Sequence, residues 1–284
     1  MIKHPKSLTP ALSQRERVQS PNLKTWAVLT AGGLSQRFQT DAKTKGIALP
    51  TNKLLSLLNG KSVLEHSLRA LLDSMAFEGV VITASKLALP EFKAIVESVQ
   101  VGFPNTPIFL VEGGRDRRAS VQAGLAYIHS LAEGSSADVV VIHDGARPLL
   151  PLDFLASAIH VLEASPDLKG VIAGHPLTDT LKRVNVKDES TLIEGTVARH
   201  TLWTVQTPQV FRWQPLWEAH QAVSWDANIT DDAELLERHF GTESALRLLP
   251  CSRRNLKITT PEDLTLAQLW LNVVFFDTMN NTIS

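Results

Sequence analysis

Residues Ala27–Phe38 read AVLTAGGLSQRF, an apolar run that ends in Gly32-Gly33 and is followed by Arg37. This pattern predicts a buried strand that leads into a tight glycine turn. Glycine has no Cβ, so the backbone N–H groups of such a turn can approach an anion closely, and Arg37 adds a positive charge beside them. The stretch predicts a loop for nucleotide phosphates, although a glycine pair after a strand is also an ordinary turn.

Short apolar runs alternate with helical patterns along the rest of the chain. Strands are predicted at Ala27–Leu29, Gly79–Thr83, Ile108–Val111, Val139–Ile142 and Gly170–Ala173, and helices at Val63–Leu72, Glu91–Val99 and Ser120–Leu131. This alternation predicts an α/β fold with a mostly parallel sheet and helices on both faces. Ligands bind beyond the carboxyl ends of strands in such sheets, where the Gly32 loop, the Gly113 loop and Asp144 all fall.

Composition excludes several classes of protein. A formal net charge of −1 over 284 residues argues against a general nucleic-acid binder. The single cysteine, Cys251, excludes an internal disulfide framework and a cysteine-based zinc site. No apolar run is long enough for a signal-peptide core or a membrane span, so we expect no membrane partner. The motifs GxxxxGK[ST], GxGxxG and HExxH are absent, which argues against P-loop hydrolysis, dinucleotide binding and zinc proteolysis.

The two ends of the chain differ from its middle. Residues 1–25 contain three prolines, five basic residues and one acidic residue, and they are predicted to form a disordered extension. Its basic composition keeps organelle targeting as an alternative to the cytoplasmic location that we expect. Residues 26–276 are predicted to form one domain, and residues 277–284 a flexible tail.

Further stretches concentrate polar residues that a core does not need. They are EGGRDRRASVQAGL (112–125), VVVIHDGARP (139–148), PLTDTLKRV (176–184), RHTLWTVQTPQVF (199–211), ITDDAE (229–234) and NLKITTPEDL (255–264), the last with Lys257 in a short strand pattern. Together with the Gly32 loop and in this order, they resemble the 2-C-methyl-D-erythritol 4-phosphate cytidylyltransferases of the non-mevalonate isoprenoid pathway. The resemblance covers about residues 26–271.

The resemblance implies a Rossmann-like nucleotidyltransferase fold of the GT-A-like type, with a projecting β-arm at about residues 171–203. It also implies an activity, the transfer of a cytidylyl group from CTP to 2-C-methyl-D-erythritol 4-phosphate. The products are 4-diphosphocytidyl-2-C-methyl-D-erythritol and pyrophosphate. In relatives the arm embraces a second subunit, so we expect an isologous homodimer in which Thr180 and Arg199 enter the partner's site.

The resemblance also implies the site residues. The catalytic cations are Arg37, Lys53 and Lys257. The nucleotide contacts are Ala31, Gly32, Gly33, Gly114, Ser120, Asp144 and Arg147, with Asp144 also the contact for Mg²⁺ or another divalent cation. The acceptor contacts are Thr180, Arg199, Thr207, Asp231 and Lys257. For Asp144, a helix cap or an ion pair with Arg147 is the alternative interpretation.

Several positions depart from the family pattern. Ser35 stands where the phosphate loop usually carries a further glycine, and the connection through residues 39–51 is longer than usual. Asn52 precedes Lys53 where the family has proline, so Lys43 and Lys45 remain alternatives to Lys53. In the arginine cluster, Arg118 is expected to face solvent, unlike Arg117, while Arg115 either contacts a phosphate or faces solvent.

Two other functions fit parts of the sequence. A ribitol-5-phosphate cytidylyltransferase would have the same nucleotide half, because both acceptors are short polyol phosphates. A catalytically weak nucleotide-binding relative would account for Ser35 and for the longer connection. The retained Arg37, Lys53, Asp144 and Lys257 argue against the second of these.

Overall fold

The structure is a computed structural model that describes residues 23–33, 35–131, 137–187, 190–225 and 228–280. Most of the predicted N-terminal extension, residues 1–22, and residues 281–284 of the predicted tail lie outside the described residues.

One seven-stranded sheet forms the centre of the fold. Its strands are β1 (Thr25–Ala31), β4 (Gly79–Ala84), β5 (Ile108–Glu112), β6 (Val139–Asp144), β7 (Gly170–Pro176), β10 (Trp203–Arg212) and β11 (Leu246–Pro250). Their order across the sheet is β11-β7-β10-β6-β1-β4-β5. All neighbours pair in parallel except β10, which is antiparallel to both β6 and β7. The predicted mostly parallel sheet is confirmed.

Two short antiparallel pairs stand outside this sheet. Strands β2 (Leu57–Leu58) and β3 (Lys61–Ser62) form one, and β8 (Leu181–Lys187) and β9 (Ser190–Val197) form the other. Of the region predicted as an arm, 171–203, the first residues belong to β7 in the main sheet, and the β8–β9 hairpin forms its separate part.

Helices cover both faces of the sheet, as the strand and helix alternation predicts. They are α1 (Gln36–Thr44), α2 (Val63–Ser74), α3 (Leu89–Gln100), α4 (Arg117–Ser130), α5 (Phe154–Ala164), α6 (Trp213–Ala222), α7 (Asp232–Phe240) and α8 (Pro261–Asn280). One buried cluster contains side chains of α2, α3 and α5, and a second contains those of α4, α6 and α7. Within the described part of the chain, no helix has the length and apolarity needed to cross a membrane.

Strand β1 shows how the sequence assigns side chains to the two faces. Ala27 and Leu29 belong to the first cluster, and Val28 belongs to the second, because successive side chains of a strand point to opposite faces. Helix α4 lies close over Val28: a Cβ on Gly124 would come within 2.7 Å of a Val28 methyl group. The close contact fixes α4, whose first residue, Arg117, lies at the edge of the sheet that carries the site.

Candidate nucleotide-binding site

A cavity of about 410 Å³ lies beyond the carboxyl ends of β1 and β6. Of the sequence-predicted site residues, its wall contains Ala31, Gly32, Gly33, Arg37, Lys53, Gly114, Ser120, Asp144 and Lys257. Thr30, Arg115, Arg117 and Thr259 also line it. The topology therefore brings together residues that lie far apart in the sequence.

The loop after β1 forms one wall of the cavity. Among the described residues other than its chain neighbours, no atom lies within 4 Å of the place where a Cβ on Gly33 would be, so the approach to this backbone is open. Ser35 has a φ of 54°, in the left-handed region that favours glycine. Its hydroxyl oxygen accepts a hydrogen bond from the backbone N–H of Lys53 at 3.2 Å. Ser35 thus adopts a backbone conformation that favours glycine and adds a contact to the lysine segment.

Three cationic side chains face the cavity. Arg37 is the second residue of α1, Lys53 begins a 3₁₀ turn, and Lys257 precedes α8. The Lys53 ammonium group donates a hydrogen bond to the carbonyl of Ile258 at 2.6 Å. Burial, followed by the like charge of Lys257, lowers the pKa of Lys53 to about 8.

The two alternative lysines lie elsewhere. Lys43 and Lys45 are exposed at the end of α1 and do not line the cavity. Lys45 forms an ion pair with Glu262 of α8, so the longer connection is attached to the C-terminal helix rather than to the cavity.

Asp144 lies at the end of β6, and cations surround its buried carboxylate. Oδ2 is 3.0 Å from the Lys257 Nζ and 3.3 Å from the Arg147 Nε. Oδ1 has only long contacts, at 3.4 Å to the Thr30 hydroxyl and at 3.6 Å to the Arg117 Nε. Burial favours protonation, but Lys257 and the two arginines outweigh it and hold the pKa of Asp144 well below its usual range.

Thr207 does not line the cavity and instead contacts the backbone of Asp144. Its hydroxyl oxygen accepts a hydrogen bond from the Asp144 backbone N–H at 3.0 Å and lies 3.2 Å from the His143 Nδ1. Burial lowers the pKa of His143 to about 4, and its Nε2 lies 3.3 Å from the Arg147 carbonyl oxygen, which only accepts. Nε2 therefore carries the proton of the neutral ring, and Nδ1 accepts from the Thr207 hydroxyl. Thr207 is only 4% exposed. The acceptor contact expected for Thr207 is therefore replaced in this structure by a contact that positions Asp144.

Arg147 is also buried behind Asp144 and does not line the cavity. It donates to the carbonyl of Asn255 at 2.7 Å, while the Asn255 side chain donates to Gln206 and to the Thr207 carbonyl. These bonds hold the segment that carries Lys257. That segment is extended but is not part of a strand, so the predicted short strand is wrong.

The loop after β5 forms the opposite wall. A Cβ on Gly114 would lie 2.2 Å from the Ala119 Cβ, so only glycine fits there without a shift. Asp116 caps α4 by accepting a hydrogen bond from the Ala119 N–H at 2.8 Å. The Ser120 hydroxyl lines the cavity and donates to the Asp116 carbonyl at 2.8 Å, so its oxygen retains the capacity to accept a hydrogen bond.

Two residues outside the predicted site list form a charged contact at the edge of the cavity. Arg117 lines the cavity, and its Nη1 lies 2.7 Å from Oδ2 of Asp232, the first residue of α7. Asp232 is buried, and His220 of α6 contacts its other oxygen at 3.1 Å. The repeated acidic pair in ITDDAE was a signal, but the pattern does not tell which of the two carboxylates turns inward.

Asp231, the residue chosen from that pair, is the N-cap of α7. Its Oδ1 accepts from the Glu234 N–H at 2.8 Å, and its Oδ2 accepts from the Gln209 side chain at 2.7 Å. Both carboxylate oxygens are therefore engaged in holding α7, and Asp231 does not line the cavity.

Arg118 does not face solvent as expected. It is 8% exposed, and its guanidinium donates to the carbonyls of Val223 and Ser224 while lying 4.2 Å from the ring centre of Trp225. The expectation treated the arginine cluster as one charged run, but Arg118 lies on the inner side of α4. Arg115 is largely exposed at the edge of the cavity.

Thr180 and Arg199 lie at the base of the β8–β9 hairpin. Both are exposed, neither lines the cavity of this chain, and Arg199 donates a hydrogen bond to the Thr178 carbonyl. The cavity and these two residues are thus separate surfaces of one chain.

The donor set around Asp144 fits a divalent cation that arrives with a phosphate ligand. The described residues contain no cluster of three or more His, Cys, Asp or Glu side chains able to hold a metal ion. Mg²⁺ bound beside nucleotides usually takes one or two carboxylates and completes its shell with phosphates and water. Oδ1 of Asp144, with two long contacts, offers one such oxygen.

Comparisons with known proteins identify the family of this chain. The family profile "2-C-methyl-D-erythritol 4-phosphate cytidylyltransferase" matches residues 25–273. The enzyme of that name from Geotalea uraniireducens is 32% identical over 89% of this chain and 98% of its own. The one from Thermosynechococcus vestitus is 37% identical over 76% and 86%. A solved 4-diphosphocytidyl-2C-methyl-D-erythritol synthase superposes with a TM-score of 0.64 and 31% identity, covering 88% of this chain and 99% of that one.

The profile spans most of the chain, and the relatives are about a third identical over most of its length, while the solved synthase shares its fold. The chain therefore belongs to the 2-C-methyl-D-erythritol 4-phosphate cytidylyltransferase family.

Proposed function

We propose that this protein transfers the cytidylyl group of CTP to 2-C-methyl-D-erythritol 4-phosphate in the non-mevalonate isoprenoid pathway. The observation that carries the proposal is the cavity itself, where Arg37, Lys53 and Lys257 lie with Asp144 beside an open glycine loop, and Arg115 and Arg117 add positive charge. Cationic side chains outnumber carboxylates in the wall of this small cavity, which suits a substrate with the charge of a triphosphate. Family membership and the names of the relatives support the choice of nucleotide and acceptor.

The reaction is a substitution at phosphorus. A phosphate oxygen of the acceptor forms a bond to the α-phosphorus of CTP, and the bond from that phosphorus to the bridging oxygen breaks. Pyrophosphate leaves with the electron pair. The enzyme positions the two anions in line and neutralises the charge that spreads over the oxygens. Arg37 and Lys53 act on the triphosphate, and Lys257 acts between the triphosphate and the acceptor phosphate.

Asp144 would hold the divalent cation, which supplies further positive charge to the phosphates when it is bound. Lys257 and Arg147 occupy Oδ2 of this carboxylate, so Oδ1 is the oxygen left for the cation. Thr207 and Arg147 act as positioning residues that fix Asp144 and the Lys257 segment.

The remaining wall residues bind the nucleotide. Ala31, Gly32 and Gly33 bring backbone groups to the phosphates, and Gly114 with Ser120 faces the base. The Ser120 hydroxyl already donates to a backbone carbonyl, so it can only accept from the ligand. Cytosine presents an amino donor where uracil presents a carbonyl oxygen, so this oxygen favours CTP over UTP.

The acceptor site is completed by a second subunit in this proposal. Thr180 and Arg199 lie away from the cavity of their own chain, and the β8–β9 hairpin exposes Val186, Leu192 and Ile193 to more than half of their surface. An exposed apolar hairpin is suited to an isologous dimer contact. We expect the assembled enzyme in the cytoplasm.

The test offers the purified protein Mg²⁺ and CTP with either 2-C-methyl-D-erythritol 4-phosphate or ribitol 5-phosphate and measures pyrophosphate. We expect release with the first acceptor only. Release with ribitol 5-phosphate alone would assign the alternative acceptor. Release with neither, together with measurable CTP binding, would assign a nucleotide-binding relative without this activity.

A further inference from the structure

A series of side-chain contacts links α6 to the cavity through the buried Asp232. His220 contacts Asp232, Asp232 contacts Arg117, and Arg117 faces Asp144. Asp232 is 2% exposed and does not line the cavity, so it acts only through its neighbours. A carboxylate accepts but does not donate, so the His220 Nε2 carries the proton in this contact.

The guanidinium of Arg117 is held by one nitrogen only. Its Nη1 lies 2.7 Å from Oδ2 of Asp232, a close ion pair without hydrogen-bond geometry, since Oδ2 has no hydrogen-bond partner among the described residues. Its Nε lies 3.6 Å from Oδ1 of Asp144, which is too long for a hydrogen bond. Its Nη2 is buried without a hydrogen-bond partner among the described residues.

Nε and Nη2 form one edge of the guanidinium, and that edge is the one arginine uses for a two-bond pair with a carboxylate. A rotation of the guanidinium toward Asp144 would shorten the 3.6 Å contact and turn this edge toward Oδ1. Such a pair would occupy Oδ1, the oxygen that the other cations leave open. The ion pair with Asp232 is the contact that opposes this rotation.

We propose that Asp232 is a positioning residue that restrains Arg117, so that Oδ1 of Asp144 stays available to a divalent cation bound with the nucleotide. The proposal rests on the proposed function, because it takes Asp144 as the cation ligand. The proposal has a specific consequence for two affinities. Loss of the Asp232 charge should lower the affinity for CTP in the presence of Mg²⁺ more than it lowers the affinity for CTP without metal.

The experiment measures the dissociation constant of CTP by calorimetry, without acceptor, once with Mg²⁺ and once with a chelator. The ratio of the two constants is the metal enhancement. In the Asp232→Asn variant, which keeps the side-chain shape, we expect this enhancement to fall about tenfold, the order of one charge-assisted hydrogen bond. Metal-free CTP binding should change less than threefold. Glu237→Gln, which removes a charge from the exposed side of the same helix, should keep the wild-type ratio.

A second variant tests the same proposal from the other partner. In Arg117→Gln the competing cation is gone, so the metal enhancement should be at least as large as in the wild type. Adding Asp232→Asn to it should cause no further loss of enhancement. A metal enhancement lower than wild type in Arg117→Gln would overturn the proposal, because it would mean that Arg117 supports metal binding at Asp144 rather than competing with it. This test remains available if Asp232→Asn does not fold.

The two proposals fail in different ways. If the wild type binds CTP with metal enhancement and Asp232→Asn keeps that ratio, the restraint is wrong and the proposed function stands. Equal loss of binding with and without metal would also overturn the restraint, because it would make Asp232 a general structural residue. No metal enhancement in the wild type would overturn both the restraint and the role of Asp144.

Discussion

At the scale of single residues, the two glycine loops of the cavity need glycine for different reasons. At Gly114 a Cβ would collide with the Ala119 Cβ and with the backbone of α4. At Gly33 a Cβ would meet no atom of the described residues beyond its chain neighbours, so the space there is open to a ligand. One glycine is required by the protein and the other by what the protein binds.

This difference predicts opposite effects of alanine. Gly114→Ala should lower the free energy of unfolding by about 1–3 kcal/mol, because the overlap forces α4 to shift. Gly33→Ala should change it by less than about 0.5 kcal/mol, yet weaken CTP binding. Urea denaturation and calorimetry measure the two quantities. Loss of stability in Gly33→Ala with normal CTP binding would contradict this assignment.

Lys53 should make the activity of the enzyme decrease at alkaline pH. Its pKa is lowered to about 8, and the protonated ammonium is the form that binds phosphate, so kcat/KM should fall as the pH rises above about 8. Bound phosphates raise the pKa, so kcat should hold to higher pH. Lys53→Ala should reduce turnover about a hundredfold or more.

Two controls accompany this prediction. Lys53→Arg keeps its charge at alkaline pH, so whatever activity remains should lose the fall above pH 8. Lys43→Ala and Lys45→Ala should have little effect on turnover, because both side chains lie outside the cavity. A large loss in Lys45→Ala with near-normal Lys53→Ala would show that the longer connection had been aligned wrongly.

The sequence could predict most residues of the cavity wall but not their contacts. Asp144 and Gly33 follow strands, and the ends of parallel strands meet at one edge, so their positions follow from the strand pattern. Asp232 could not be chosen over Asp231, because its partner Arg117 lies more than a hundred residues away in the chain. The contacts of Thr207 could not be predicted for the same reason, since its partners His143 and Asp144 belong to another strand.

At the scale of elements, α7 depends on the residue that caps it. Asp231 accepts from the Glu234 N–H, and the Glu234 carboxylate in turn accepts from the backbone N–H and hydroxyl of Thr230. This reciprocal capping fixes the first turn of α7, which carries Asp232.

The cap assignment predicts a loss of stability rather than of substrate binding. Asp231→Ala should be less stable than Asp231→Ser by about 1 kcal/mol, because serine still caps a helix and alanine does not. Asp231→Ser should keep most of the turnover. Thermal unfolding and steady-state kinetics check both parts, and a stable but inactive Asp231→Ser would restore the acceptor role expected from the sequence.

The strands and helices themselves were largely predictable, because their apolar periods are local. The alternation at Ala27, Val28 and Leu29 is visible in the sequence and appears as two faces in the fold. The direction of β10 was not predictable, since its antiparallel pairing with β6 and β7 depends on where the β8–β9 hairpin returns the chain. Helix α1 in the longer connection was not predicted either.

At the scale of the whole molecule, the separation of Arg199 from the cavity predicts a shared site. Arg199→Ala and Lys53→Ala should each be nearly inactive alone. After the two are mixed equally and allowed to exchange subunits, about one site in four should be restored, because a mixed two-fold dimer holds one intact site and one with both defects. Native mass measurement follows the exchange. Exchange without recovery of activity would place Arg199 in its own subunit's site.

The cluster of Arg37, Lys53 and Lys257 also has a consequence for the direction in which the cytidylyl transfer proceeds. The cations that bind a nucleoside triphosphate also bind the inorganic diphosphate that the reaction releases. The bond that breaks and the bond that forms are both phosphoanhydrides, so the exchange is close to reversible. A cavity of this charge therefore cannot by itself commit the reaction to product. Net synthesis requires that something outside the protein destroy or carry away the leaving group.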